Sequence, residues 1–445
     1  MDPGSQRLAL IWGLSFSAGA LARLLAWLTS LPAVVMLLAI GLLMGRSGLG
    51  WIDPEALGQG LEPIVGLLVS LVLFDGGLAL RLAGRDRQFT VVRLVGVRWG
   101  LGLIGGAAAA HLLAGLSWSL AWVYGAIALA TGPTVITPMV RQMRLDPELA
   151  TVLEAEGLIL EPIGAVLALV LLELALGDLT SWQQLLGRLA LRLGGGLLAG
   201  GLAGLLLVAL LRWIGLTPAA PEADSPAHPG AAGGDPQGAV PGPVPSPRVG
   251  VAEDEHSADT STALALQLTL GVLFLLFSGC EALLPEAGLP AAVTAGVVVG
   301  LRFRNGIAEL DALIRQLAML AITVLFPLLA ADVQWLELSP LGWGGIACVL
   351  ALMLYRWLVV QLAGLGLQQL DWRDKLILSW IAPRGIVSAA VASLFALQLE
   401  QAGIPGAGSF KGLVFLTILL TVSLQGFTAP WLARRLGLVQ QSRAD

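Results

Sequence analysis

Two glutamates on one apolar stretch, Glu156 and Glu161, offer the most chemistry in the chain. The stretch opens at Asp146-Pro147-Glu148, a helix start with proline in the first turn. Glu161 then lies roughly 20 Å along the helix, near the depth of a bilayer centre. A carboxyl group there is costly and marks an ion or proton pathway. In a dry cavity it can be neutralised by a proton or by a monovalent cation, but not by both at once. The competing role is a neutral, hydrogen-bonded structural carboxyl. Five residues at about 100° each put Glu156 and Glu161 about 140° apart, so they need different partners and different roles. Glu154 and Glu173 sit nearer the helix ends and read as solvated or snorkelling carboxylates.

A second stretch runs Ala130-Thr131-Gly132-Pro133-Thr134-Val135-Ile136-Thr137-Pro138. Two prolines and a glycine in an apolar helix free backbone groups that need a protein partner, a water or an ion. Threonine hydroxyls add oxygen ligands, which suit a small hard cation. An ordinary proline kink is the plainer alternative. A third stretch, Ile381-Ala382-Pro383-Arg384-Gly385-Ile386-Val387-Ser388, again sets Pro and Gly beside a charge. Arg384 needs a carboxylate or several carbonyls, and Glu156 is the expected partner; snorkelling to the interface is the alternative. Asp75, in Leu73-Phe74-Asp75-Gly76-Gly77, reads as a carboxylate supporting the site from behind or a cytoplasmic-funnel residue, with a plain interfacial role the alternative. Arg98, His111, Arg315, Asp332 and Arg356 read as singletons with no assigned chemistry. No metal-ligand spacing, phosphate loop, nucleophile triad or cofactor motif is legible, so an enzyme is not expected. Gly194-Gly195-Gly196 and Gly200-Gly201 fit close helix packing.

The elements that hold these residues are membrane helices. Of 445 residues, 56% are hydrophobic and 12% charged, about half the charge of a soluble domain. Apolar runs of about 20 residues recur from end to end without the alternation of a barrel strand. About thirteen segments are expected, near 8–28, 31–45, 63–81, 94–115, 119–140, 148–176, 188–212, 262–284, 290–302, 311–331, 341–363, 375–398 and 410–433. The first reads as a retained helix, not a cleaved signal. Cys280 and Cys348 both fall in apolar runs and read as small buried residues. No basic patch with interleaved aromatics points to nucleic acid.

Basic residues set the orientation. Arg81, Arg85, Arg87, Arg93, Arg141, Arg144, Arg302, Arg304, Arg373, Lys375, Arg434, Arg435 and Arg443 all fall on one side if the count holds. The N-terminus is then outside and the C-terminus cytoplasmic, in a bacterial inner membrane. Residues 217–261 read as a disordered cytoplasmic linker rich in Pro, Ala and Gly. It separates an N-terminal membrane half, 1–216, from a C-terminal half, 262–435, with a short tail at 436–445. Two such halves suit inverted repeats around a midplane site.

Thr131-Gly-Pro-Thr134, Glu156-Gly-Leu-Ile-Leu-Glu161-Pro-Ile-Gly-Ala165, Phe74-Asp-Gly-Gly77 and Pro383-Arg-Gly-Ile-Val-Ser388 resemble bacterial sodium:proton antiporters of the monovalent cation:proton antiporter superfamily. The electroneutral branch is the nearest, and the resemblance covers nearly the whole membrane part. It implies an all-α fold of thirteen helices, a homodimer, and two crossing broken helices at Thr131–Pro138 and Pro383–Gly385. It implies that Glu161 stands for the ion- and proton-binding aspartate, and that Glu156 and Arg384 form a structural ion pair. Thr131 and Asp75, the latter at a position usually held by Glu, then join Glu161 in binding the ion or proton, and Gly132, Pro133, Thr134, Pro383, Gly385 and Ser388 belong to the broken helices.

The chain departs from that pattern in three places. Glu161 is one methylene longer than Asp, Leu160 replaces an Asn or Asp, and Gly132 replaces an Asp. The missing second aspartate argues for one proton per cation. Exchange of sodium, lithium or potassium for a proton, serving pH and ion homeostasis, is therefore the expected activity. A sodium-coupled carrier of an organic solute, and a transport-inactive sensor on the same fold, are the rivals.

Overall fold

The computed structural model describes residues 3–29, 31–80, 85–179, 181–214, 251–303, 307–367 and 370–440. The helices are α1 Pro3–Thr29, α2 Ala33–Met44, α3 Leu61–Ala79, α4 Arg85–Leu112, α5 Trp118–Leu129, α6 Pro133–Gln142, α7 Pro147–Leu176 and α8 Trp182–Trp213. After residues outside the description come α9 Val251–Leu283, α10 Gly288–Arg302, α11 Ala308–Ala331, the short α12 Trp335–Leu338, α13 Gly342–Ala363, α14 Trp372–Trp380, α15 Ile386–Gln401 and α16 Ala407–Leu436. Among the described residues, ten helical stretches are long and apolar enough to span a bilayer, with α5–α6 joined as one; α2 and α10 are shorter apolar helices. With α14–α15 as one broken span, the expected thirteen segments are all present. Of the expected linker, 217–250 lies outside the described residues, whereas 251–261 is already helix in α9.

The helices form two bundles. One joins α1, α2 and α3 to α8, α9, α10 and α11; the other joins α4, α5, α6 and α7 to α13, α14, α15 and α16. The second bundle repeats a pattern: a long helix, a broken helix, then a helix of 30 residues (α4, α5–α6, α7 and α13, α14–α15, α16). Alternating passes send the two triplets across in opposite senses, the arrangement of inverted repeats.

Local chemistry sets the helix ends. Asp146 caps α7, its Oδ1 accepting from the amides of Glu148 (2.9 Å) and Leu149 (3.4 Å). The chain after α16 returns to this turn, where the Asp146 amide donates to the Leu438 carbonyl at 2.8 Å. Pro138 and Pro162 lie within α6 and α7 without ending either helix. Of the two prolines near Thr131, only Pro133 marks the break, as first residue of α6.

The first bundle is drawn together by absent side chains. A Cβ on Gly200 of α8 would lie 2.3 Å from the Ala291 carbonyl of α10, and one on Gly196 would lie 2.5 Å from the Ala287 carbonyl. Backbone cannot yield as a flexible side chain can. Gly200→Ala should therefore push α8 from α10 and cost about 1–3 kcal/mol. Thermal unfolding of the purified protein in detergent measures this, and an unchanged midpoint would contradict the packing.

Candidate functional site

The two breaks cross each other. α5 ends at Leu129 and α6 starts at Pro133; α14 ends at Trp380 and α15 starts at Ile386. Between them the Gly132 amide donates to the Pro383 carbonyl at 3.1 Å. A Cβ on Gly132 would sit 2.2 Å from Gly385 Cα, so both positions need glycine for the two backbones to touch. An aspartate at position 132 could not be accommodated without parting the crossing.

Broken helices leave carbonyls and amides without partners, and the surrounding side chains supply them. Arg384 donates from Nη1 to the Ala130 carbonyl at 2.7 Å, meeting the negative end of α5. The Ala382 amide donates to Gln425 Oε1 at 2.9 Å. Arg356 donates from Nη2 to the carbonyls of Leu378 (2.7 Å) and Ile381 (3.0 Å), closing the end of α14.

Arg356 also holds Glu156. Its Nη1 donates to Oε1 at 3.0 Å and its Nη2 to Oε2 at 3.1 Å, a two-pronged contact. Arg98 of α4 adds a bond from Nη1 to Glu156 Oε1 at 2.7 Å, and reaches the Thr131 hydroxyl at 3.3 Å. All three charged side chains are buried. Glu156 is therefore the centre of a buried Arg–Glu–Arg triad that ties α4, α7, α13 and the end of α14 together. The expected Glu156–Arg384 pair does not form; Arg384 serves a carbonyl instead. Arg98 and Arg356, set aside as singletons, are the partners. The Thr131 hydroxyl accepts from Arg98, so Thr131 is tied to the triad as well as to the break.

Glu161 is in different surroundings. It is fully buried, and neither carboxylate oxygen has a hydrogen-bond partner among the described residues. A Cβ on Gly385 would fall 2.7 Å from its Oε1 and 3.2 Å from the Thr134 hydroxyl, so carboxylate and hydroxyl both face the crossing. The Thr134 and Ser388 hydroxyls are likewise buried without partners. Buried polar atoms normally find partners, so an orphaned carboxylate with the orphaned Thr134 hydroxyl at the same crossing marks a place for something the protein itself does not supply. Oxygen donors alone, with one acid among them, suit a proton or a hard monovalent cation. Leu160, fully buried, adds no ligand.

A vestibule of about 90 Å³ between the two bundles reaches Thr134 of this group. Its walls include Asp75 of α3, Thr134 and Thr137 of α6, Glu154 and Leu158 of α7, and Arg315 of α11. Arg141, at the end of α6, is also a lining residue. Asp75 Oδ1 has no hydrogen-bond partner, while Arg315 is tied to Asp311 at 2.6 Å. Glu154 thus belongs to the vestibule wall, and Glu173 is no snorkelling group: it pairs with Arg192 at 2.6 Å and Arg188 at 3.1 Å. His111 keeps a structural role, with Nδ1 2.8 Å from the Leu116 carbonyl and its ring stacked on Trp118.

Known proteins share this architecture. The sodium proton antiporter MjNhaP1 from Methanocaldococcus jannaschii superposes with a TM-score of 0.73 at 24% identity, over 97% of this chain and 99% of that one. Na(+)/H(+) antiporter ApNhaP of Aphanothece halophytica is 21% identical over 98% of this chain and 75% of its own length. Na(+)/H(+) antiporter 1 of M. jannaschii is 28% identical over 165 residues, 36% of this chain and only 38% of that protein's length. The model of the sodium/hydrogen exchanger transmembrane family matches residues 13–223 and 255–435, which take in the crossing, the triad and Glu161. By that match over most of its length, the chain belongs to the sodium/hydrogen exchanger family of transmembrane proteins.

Proposed function

We propose that this protein exchanges one sodium ion for one proton at Glu161, without net charge movement. The observation that carries the proposal is a fully buried carboxylate with both oxygens unpartnered, facing the contact of two broken helices. Either a proton or a cation neutralises it, so each displaces the other. The Thr134 and Ser388 hydroxyls and backbone carbonyls of the breaks are the other oxygen ligands. With Leu160 and Gly132 in place of further acids, one site carries one charge in each direction. Asp75 and Glu154 in the vestibule raise the local cation concentration on the way in.

The α4–α7 and α13–α16 bundle moves against the other bundle, exposing Glu161 to each face in turn. The face with Arg141, Arg144, Arg373 and Lys375 is cytoplasmic in a bacterial inner membrane, following the positive-inside rule. Two copies pair as a homodimer, as the family resemblance suggests.

Purified protein in liposomes with a trapped pH dye tests the reading. Added sodium should shift internal pH, with lithium and potassium ranking the selectivity. An imposed membrane potential should leave the initial rate unchanged. A rate that follows the potential would rule out one-for-one exchange.

A further inference from the structure

The face opposite the vestibule is closed by a different kind of contact. Asp332 follows α11 of the first bundle. Lys411 of α16 and Ser393 of α15 belong to the second. Lys411 Nζ lies 3.0 Å from Asp332 Oδ2 and 3.1 Å from Glu337 Oε1 of α12, and Ser393 Oγ donates to Asp332 Oδ2 at 2.8 Å. Lys411 and Asp332 are 8% and 7% exposed, so this is a buried ion network and not a surface pair. Asp332 is thus no isolated acid, as its sequence context suggested.

Beneath the network lies an apolar seam. Leu38, Phe326 and Leu329 of the first bundle face Gly385, Ala389 and Phe415 of the second around a cavity of about 20 Å³. That is room for about one water, and an apolar lining gives it nothing to bond. Glu161, against Gly385, therefore lies between a polar vestibule that ends at Thr134 and a dry, charge-latched seam on the other side.

We propose that Lys411, Asp332, Glu337 and Ser393 form a gate that holds the protein open to the vestibule and shut to the opposite face. This rests on the proposed movement of one bundle against the other. Any such movement that brings Gly385 to the opposite face draws α15 and α16 from α11, and so separates Lys411 from Asp332. The ions are exchanged for water as the gate opens, so the contact biases the equilibrium between the two states without forbidding either.

A cysteine at Ala389, in the dry seam, reports the state of the gate. It is introduced with Cys280→Ser and Cys348→Ala in the full-length protein, reconstituted in vesicles. A membrane-impermeant maleimide is applied at the face opposite the vestibule. With the gate intact, labelling should be slow. Lys411→Met should raise the rate by about tenfold or more, as the open state gains population. Lys411→Met leaves two buried acids unpaired, so Lys411→Met/Asp332→Asn/Glu337→Gln provides a version without orphaned charge, its folding checked by thermal unfolding. Unchanged labelling in a folded triple variant would overturn the gate. Labelling reads the gate whether or not Glu161 binds sodium, so failure of the site and failure of the gate are separable.

Discussion

Glu161→Gln protein should fold, enter liposomes and give no pH response to sodium above that of protein-free vesicles. Glutamine has nearly the shape of glutamate and stays neutral, so packing survives. It cannot exchange a proton for a cation, so the cycle has no carrier. Because Glu161 makes no hydrogen bond among the described residues, its replacement leaves none of them stranded. Stability should hold or rise while transport disappears. Glu161→Asp is the informative companion. Shortening the side chain withdraws the carboxylate from Gly385, which its Oε1 now nearly touches. Exchange should persist with weaker sodium dependence. Wild-type transport by Glu161→Gln would remove the site.

Glu156→Gln should do the reverse, damaging the fold before the chemistry. Glu156 is the one acid between Arg98 and Arg356, at 2.7 Å and 3.0 Å. Neutralising it leaves two buried guanidinium groups facing each other. Breaking a buried pair by removing one partner costs about 3–5 kcal/mol, a large part of a typical domain's stability. Thermal unfolding in detergent should fall sharply, and expression should drop with it. Arg356→Lys should be milder in charge but still harmful. A lysine cannot hold both Glu156 oxygens and the Leu378 and Ile381 carbonyls from one planar group. A Glu156→Gln midpoint equal to wild type would show that the triad is not structural.

The contrast between these two glutamates was partly legible in the residues. Their angular separation predicted different partners, and the depth of Glu161 marked it as the acid with an ion or proton to bind. The breaks at Gly132 and Pro383 were legible too, because Gly and Pro beside a charge have few other uses in an apolar helix. The identity of the Glu156 partners was not. Arg98 and Arg356 stand 58 and 200 positions away on other helices, and no local spacing links them to Glu156. Arg384 looked the better partner because it sits in a recognisable motif. It is instead absorbed by the Ala130 carbonyl, a backbone demand created by the break itself. Thr131 and Thr134 differ for a similar reason: only folding brings Arg98 to the first and leaves the second without a partner among the described residues. The pairing of Lys411 with Asp332 depends on how two bundles meet, which periodicity along one helix does not encode.

Calorimetric titration of sodium into the purified protein, repeated in buffers of different ionisation enthalpy, counts protons released as sodium binds. One proton per sodium bound is predicted for the wild type, and neither binding heat nor release for Glu161→Gln. Sodium binding without proton release, or the same release from Glu161→Gln, would contradict exchange at this carboxylate.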